Sequence, residues 1–274
     1  MPVRGAYSGA MKLVQEALRA GHSGSPLRRS QREPVLLLGG AGALGSAVLE
    51  RMLSAAPVEV AVIGPLETGL QGLMPLPLVP TLAEPLLTRA RLALLVFDVP
   101  RHANGRERSF YLPQPEQLPA LGRALRAGGI EDLLIVLPHA PARLPQALKT
   151  GLASLDEQAV ASLGFRHLLI LRPSRDGVKL PAAARLQGVA NWVLSQLRWM
   201  IPAPDLPMRP AKVAELTVQL ALQLPRAAPG TRVAPPELVY AAAQTQDVAG
   251  LAADWLAGRD WQAAPLRSWR GGRS

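Results

Sequence analysis

The 274-residue chain contains no cysteine. Disulfides, thiolate metal sites and a cysteine nucleophile are therefore excluded. Histidine is scarce too: His22, His102, His139 and His167 form no i, i+4 pair and no HExxH, so no metal site is expected. With 3 Phe and 3 Tyr there is no platform of rings on which nucleic-acid bases could stack, and no nucleic-acid partner is expected. The 5 Trp (Trp192, Trp199, Trp255, Trp261, Trp269) are dispersed and read as packing residues. No apolar run reaches the roughly 18 residues that a membrane-spanning helix needs. Arg28-Arg29 ahead of "VLLLGG" superficially suggests a twin-arginine signal, but Glu33-Pro34 interrupts it. The cytoplasm is the expected compartment, with an organellar transit segment as the alternative reading of the Arg-rich start.

What is there is a large apolar fraction, 49%, enough to fill a core. A chain of this size buries roughly three quarters of its unfolded surface. The formal net charge of +10 is unevenly spread. Residues 1–32 carry +5 and residues 259–274 carry +3, while the long stretch between them is nearly balanced. Residues 1–33 read as a basic segment holding a short amphipathic helix, "GAMKLVQEALRAG" (Gly9–Gly21), and a polar linker. Met11, Val14, Ala17 and Leu18 share one face of that helix. Basic ends of this kind can bind nucleic acid or anionic lipid, and are read first as solvated tails; the helix suits docking on the domain, a membrane surface or a protein partner. Residues 34–258 are expected to form the folded domain, and 259–274 a basic tail.

Within that domain, short solid apolar runs alternate with helical patterns. Val35–Gly39, Val58–Gly64, Leu92–Val99, Leu133–Leu137 and His167–Pro173 read as strands, and a short one is expected around Leu76–Val79. Helices are expected over Ala43–Ala55, Pro115–Gly129, most of Leu144–Gly164, residues 184–200, Lys212–Leu224 and Asp247–Ala257, with "ELVYAA" as a late strand. Strands buried on both faces lose the period of two and read as continuous Val/Ile/Leu. The pattern predicts an α/β fold: a doubly wound, mostly parallel Rossmann-type sheet with a small C-terminal helical cap over the strands' carboxyl edge.

Gly39, Gly42 and Gly45 stand at the first strand-to-helix junction in the spacing G-x-x-G-x-x-G. In a dinucleotide site the first such glycine allows a sharp turn, the second lets the backbone approach a pyrophosphate, and the third lets helix and strand pack closely. The helix start, with Ala43 and Leu44, then offers unpaired N–H groups to the anion. The duller reading is tight packing alone. The acidic residue expected at the end of the second strand for ribose recognition is missing, since Ile63-Gly64-Pro65 stands there and Glu67 lies two residues late.

The stretches "VLLLGGAGALGSAVLERML", "LLVFDVPRHANGRERSFY", "LPALGRALRAGGIEDLLIVL", "LDEQAVASLGFRHLLILRPS" and "MRPAKVAELTVQLAL" together resemble the short-chain dehydrogenase/reductase superfamily. Within it they are most similar to the atypical branch of the Tat-interacting-protein type, over roughly residues 34–225. The resemblance implies a bound NAD or NADP, held by Gly39, Gly42, Ala43, Leu44 and Gly45, with Lys149 at the position of the ribose-binding lysine. It also implies a Tyr-x-x-x-Lys pair and a Ser. Pro145 stands where the Tyr falls, and Leu137-Pro138 where the Ser falls. No catalytic residue is therefore assigned. The expected function is a cofactor-binding sensor or scaffold. The alternatives are an oxidoreductase or isomerase with unorthodox residues, and a peripheral membrane or assembly factor. Asp98 is read as capping a turn or touching a ligand, Arg172 and Arg175 as phosphate contacts, and His139, Ser109 and Tyr111 as substitutes for the missing acid–base groups.

Overall fold

The computed structural model describes residues 33–66, 70–78, 86, 88–99, 108–138, 151–173 and 208–261. Among the described residues, seven strands form one sheet in the order β3-β2-β1-β4-β5-β6-β7, every pair parallel. They are β1 (Val35–Leu38), β2 (Val58–Val62), β3 (Leu73–Pro77), β4 (Leu92–Val96), β5 (Asp132–Val136), β6 (His167–Leu171) and β7 (Gly230–Ala234). The helices are α1 (Gly42–Ala55), α2 (Leu118–Ala127), α3 (Leu155–Ala161), α4 (Pro210–Gln223), α5 (Pro236–Gln244) and α6 (Val248–Leu256). This is the Rossmann-type α/β arrangement, and the strand order reverses direction between β1 and β4.

Successive residues of a strand face opposite sides of a sheet. Val35 and Leu37 accordingly enter one core, with Leu44, Val48, Leu49 and Met52 of α1 and the apolar faces of α4, α5 and α6. Leu36 and Leu38 enter the other, with Leu118, Leu121 and Leu125 of α2 and Val160 of α3. All four β1 residues are buried because both faces are covered. The C-terminal helical part has a definite position: α4 lies along α1, and α6 packs on α4, so these helices flank the sheet. None of the described helices is long and apolar enough to cross a membrane.

Several boundaries differ from the sequence reading. β3 begins at Leu73, three residues before the expected strand. The "ELVYAA" stretch is helical, within α5. Pro236 at its first position and Glu237 in its first turn are helix-starting features that outweigh the Val-Tyr pair. The last strand is instead "GTRVA", short and half-exposed. Of the long helix expected over Leu144–Gly164, the described part is helical only from Leu155. Ser154 starts it, its Oγ accepting from the Glu157 N–H at 3.2 Å. Ser154→Ala is expected to cost about 1 kcal/mol, read as a lower urea midpoint at unchanged m-value. The helices expected over Gly9–Gly21 and residues 184–200 lie outside the described residues.

Two buried polar pairs stand at the sheet. At the amino ends of β5 and β6, His167 Nδ1 lies 2.6 Å from Asp132 Oδ1, and Nε2 lies 3.0 Å from the Ala227 carbonyl. At the carboxyl end of β6, Arg172 bonds Glu157 of α3 and donates to the Gly151 carbonyl at 2.9 Å. The two sheet edges differ. In β3, Gly72 C=O and Leu78 N–H both turn toward β2, so the odd-numbered Pro75 and Pro77 face outward, without N–H groups. In β7, Gly230 N–H bonds Arg166 C=O, so Thr231 and Val233 turn their N–H groups outward.

Candidate functional site

The crevice at the carboxyl ends of β1 and β4 is where ligands bind in open α/β sheets. The glycine loop lies there, and close contacts account for each of its three motif glycines. Gly39 has φ +94°, and a Cβ on it would lie 2.0 Å from the Val96 carbonyl oxygen of β4. A Cβ on Gly45 would lie 2.1 Å from the Gly39 carbonyl oxygen, so α1 packs against the loop at backbone distance. Gly42 has φ +84°, and its absent Cβ would meet Asp98 Oδ2 at 2.4 Å.

Asp98 stands just beyond β4. Its Oδ2 accepts the N–H of Leu44 at 2.7 Å and that of Gly45 at 3.3 Å. Its Oδ1 accepts from Val99 N–H at 2.7 Å. α1 needs such a partner: Ala41 at its N-cap makes no side-chain bond, and its first turn holds no acid. A carboxylate on those amides also complements the positive end of the helix dipole, and the cap contributes about 1–2 kcal/mol. The capping role read for Asp98 is thus observed, but its target is α1 rather than a local turn. A helix start with no Ser, Thr, Asp or Asn was the signal available for finding it.

Ser109–Tyr111, ahead of α2, lies at the same crevice. Tyr111 N–H donates to Ala61 C=O at 2.9 Å and Ile63 N–H to Ser109 C=O at 2.8 Å, an antiparallel bridge centred on Val62 and Phe110. Gly39 N–H donates to Tyr111 C=O at 3.2 Å. Ser109 Oγ donates to Pro65 C=O at 2.6 Å. Ser109–Tyr111 therefore seals the end of β2 against the glycine loop, with Phe110 buried beside Gly40. The sequence pattern predicts no strand between Val99 and Pro115.

The two expected acid–base substitutes among the described residues are both hydrogen-bonded within the chain. Tyr111 is buried, its hydroxyl donates to Gln117 Oε1 at 2.8 Å, and burial pushes its pKa up from the ordinary value. A tyrosine that exchanges protons near neutrality needs the opposite shift. Ser109 is engaged with Pro65. Arg172, read as a phosphate contact, is 3% exposed and committed to Glu157 and Gly151. Leu137 and Pro138 follow β5, and neither side chain carries a proton to transfer. Lys149, Pro145, His139, Arg175 and Glu67 lie outside the described residues. At the opposite, amino edge of the sheet a cleft of about 520 Å³ is lined by Arg91, Glu131 and Arg166 among others. Glu131 pairs there with Arg91 at 3.7 Å and Arg166 at 3.9 Å, exposed contacts worth little.

No protein-family model matches the chain, and no curated protein matches it. Among solved structures it is similar to Gre2 from Candida albicans, at 11% identity and TM-score 0.39, covering 74% of this chain and 77% of that one. A nucleoside-diphosphate-sugar epimerase from Staphylococcus aureus matches at 10% identity and TM-score 0.42, covering 73% and 70%. The Bordetella bronchiseptica enzyme WbmG, solved in complex with NAD, matches at 16% identity and TM-score 0.36, covering 77% and 83%. Such values carry no chemistry from one protein to another, and the fold class rests on this chain's own strand order.

Proposed function

We propose that the chain is an NAD(P)-binding protein of the atypical short-chain dehydrogenase/reductase type, resembling the Tat-interacting-protein branch, that senses or displays a dinucleotide without turnover by a Ser/Tyr pair. The folded domain on this reading spans residues 34–258, with basic ends. The observation that carries it is the convergence of the Leu44 and Gly45 amides on one anionic oxygen, beside positive-φ glycines, at the point where the strand order reverses. That is an anion cradle formed by backbone, and a diphosphate presents the same kind of oxygen. Gly39, Gly42, Ala43, Leu44 and Gly45 would line the diphosphate, and Lys149 would meet a ribose. A bound nicotinamide would supply hydride chemistry; this chain's own part is to hold and orient it. The burial of Tyr111 and the engagement of Ser109 weigh against the oxidoreductase alternative.

The test is a titration with NADPH and NADH followed by fluorescence, with Ala43→Glu as control. An acid in the first turn suits a helix N-terminus, so the fold should persist while a phosphate is repelled. Binding that weakens at least about tenfold in Ala43→Glu, at unchanged thermal midpoint, is the expected result. Absence of binding at millimolar cofactor, in this protein and in a variant lacking the Asp98 carboxylate, would overturn the reading.

A further inference from the structure

We infer that the Asp98 carboxylate is a built-in lock on the crevice, and that a ligand's diphosphate enters only by displacing it from the α1 amides. The inference rests on reading the glycine loop as the NAD(P) seat. The carboxylate is held at both oxygens: Oδ2 by the Leu44 and Gly45 amides, Oδ1 by the Val99 amide. These α1 amides are the donors that a diphosphate would use. The loop is shaped around the carboxylate as a site is shaped around a ligand, because a Cβ at Gly42 would fall 2.4 Å from Asp98 Oδ2 and 2.9 Å from the Val99 carbonyl.

A second contact at the crevice lies further along the chain. Ser109 and Tyr111 take the Ile63 N–H and the Ala61 C=O at the end of β2, and Phe110 is 3% exposed. That strand end is where an adenosine ribose is read in dinucleotide sites. Asp98 thus stands at the diphosphate position and Ser109–Tyr111 at the ribose position. Binding then reports itself as release of Asp98 from the Leu44 and Gly45 amides, a way to signal occupancy without turnover.

Asp98→Ala empties the cradle; Asp98→Asn keeps a capping oxygen but removes the charge. Inorganic diphosphate and NADPH are titrated calorimetrically into the full chain and both variants, and thermal midpoints are taken with and without diphosphate. Two like charges sharing one cradle cost enough that Asp98→Ala should bind diphosphate on the order of a hundredfold more tightly than the unaltered chain. Ligand-free Asp98→Ala should melt lower, having lost the cap of α1, and regain its midpoint with diphosphate. Asp98→Asn should fall between. Diphosphate affinity no tighter in either variant than in the unaltered chain would overturn the lock. NADPH binding equally well to all three proteins would remove the lock and leave the NAD(P) reading standing. Tighter diphosphate binding with no NADPH binding by any of them would keep the lock and remove that reading. No binding of either probe by any of the three would overturn both.

Discussion

Gly45→Ala is expected to lower the thermal midpoint by roughly 10 °C, a loss of about 3 kcal/mol. The new Cβ would stand 2.1 Å from the Gly39 carbonyl oxygen, and that oxygen belongs to backbone, which cannot rotate aside as a side chain can. α1 must therefore move away from β1, and Val48, Leu49 and Met52, all at or below 2% exposure, lose their packing with it. Gly129→Ala is the matched control: its φ is +92°, yet nothing lies within 4 Å of the added Cβ. It should show only the backbone penalty of about 1–2 kcal/mol. Calorimetric melts of the two variants separate steric packing from conformational strain. Equal losses would mean that the close approach of α1 to the loop is not a stabilising feature.

The second large effect is expected at the other buried junction. Arg172→Leu should cost about 3–5 kcal/mol, because it strands the Glu157 carboxylate in a site where it is 2% exposed. Its remaining partner would be the Ala153 N–H, at 2.6 Å. Replacing both residues, as Arg172→Leu with Glu157→Leu, removes the uncompensated charge and should recover a large part of that loss. A double variant no more stable than the single one would show that the pair acts by anchoring residues 151–153 between α3 and β6, through the Gly151 and Ala153 contacts, and not by neutralising charge. Urea unfolding of the four proteins in the cycle measures the coupling directly.

Much of the fold was legible because its central strands are buried on both faces. β1, β2, β4, β5 and β6 are each fully buried; β1 and β4 are wholly apolar, and only Glu59, Asp132 and His167 interrupt the other three. The edge strands were not legible in the same way. β3 is mostly exposed and carries two prolines, and β7 mixes Gly, Thr and Arg with its apolar residues. Each is a strand because of its neighbour, not its own composition. At the candidate site, the positions of Gly39, Gly42 and Gly45 follow from a local motif and were read correctly as a strand-to-helix junction. The partner of that junction could not be read locally. Asp98 lies 54 residues from Leu44 in sequence, and only the adjacency of β1 and β4 brings them together. Ser109–Tyr111 was missed for the same reason: its pairing with β2 crosses β1, and no local pattern encodes it.

The two edges of the sheet also set how copies of this protein could join. Strand addition needs backbone donors and acceptors in register, and an outward row of Pro75 and Pro77 on β3 offers no donor. β7, with Thr231 and Val233 turned outward, is the edge that can receive a strand. A fibre requires two open ends on every unit, as a chain of links requires two hooks on each. With one hook blocked, any edge-to-edge joining through β7 alone would close as a two-fold pair and not extend as a fibre. The prolines of β3 thus leave that edge short of donors for a further strand, independently of anything the crevice binds.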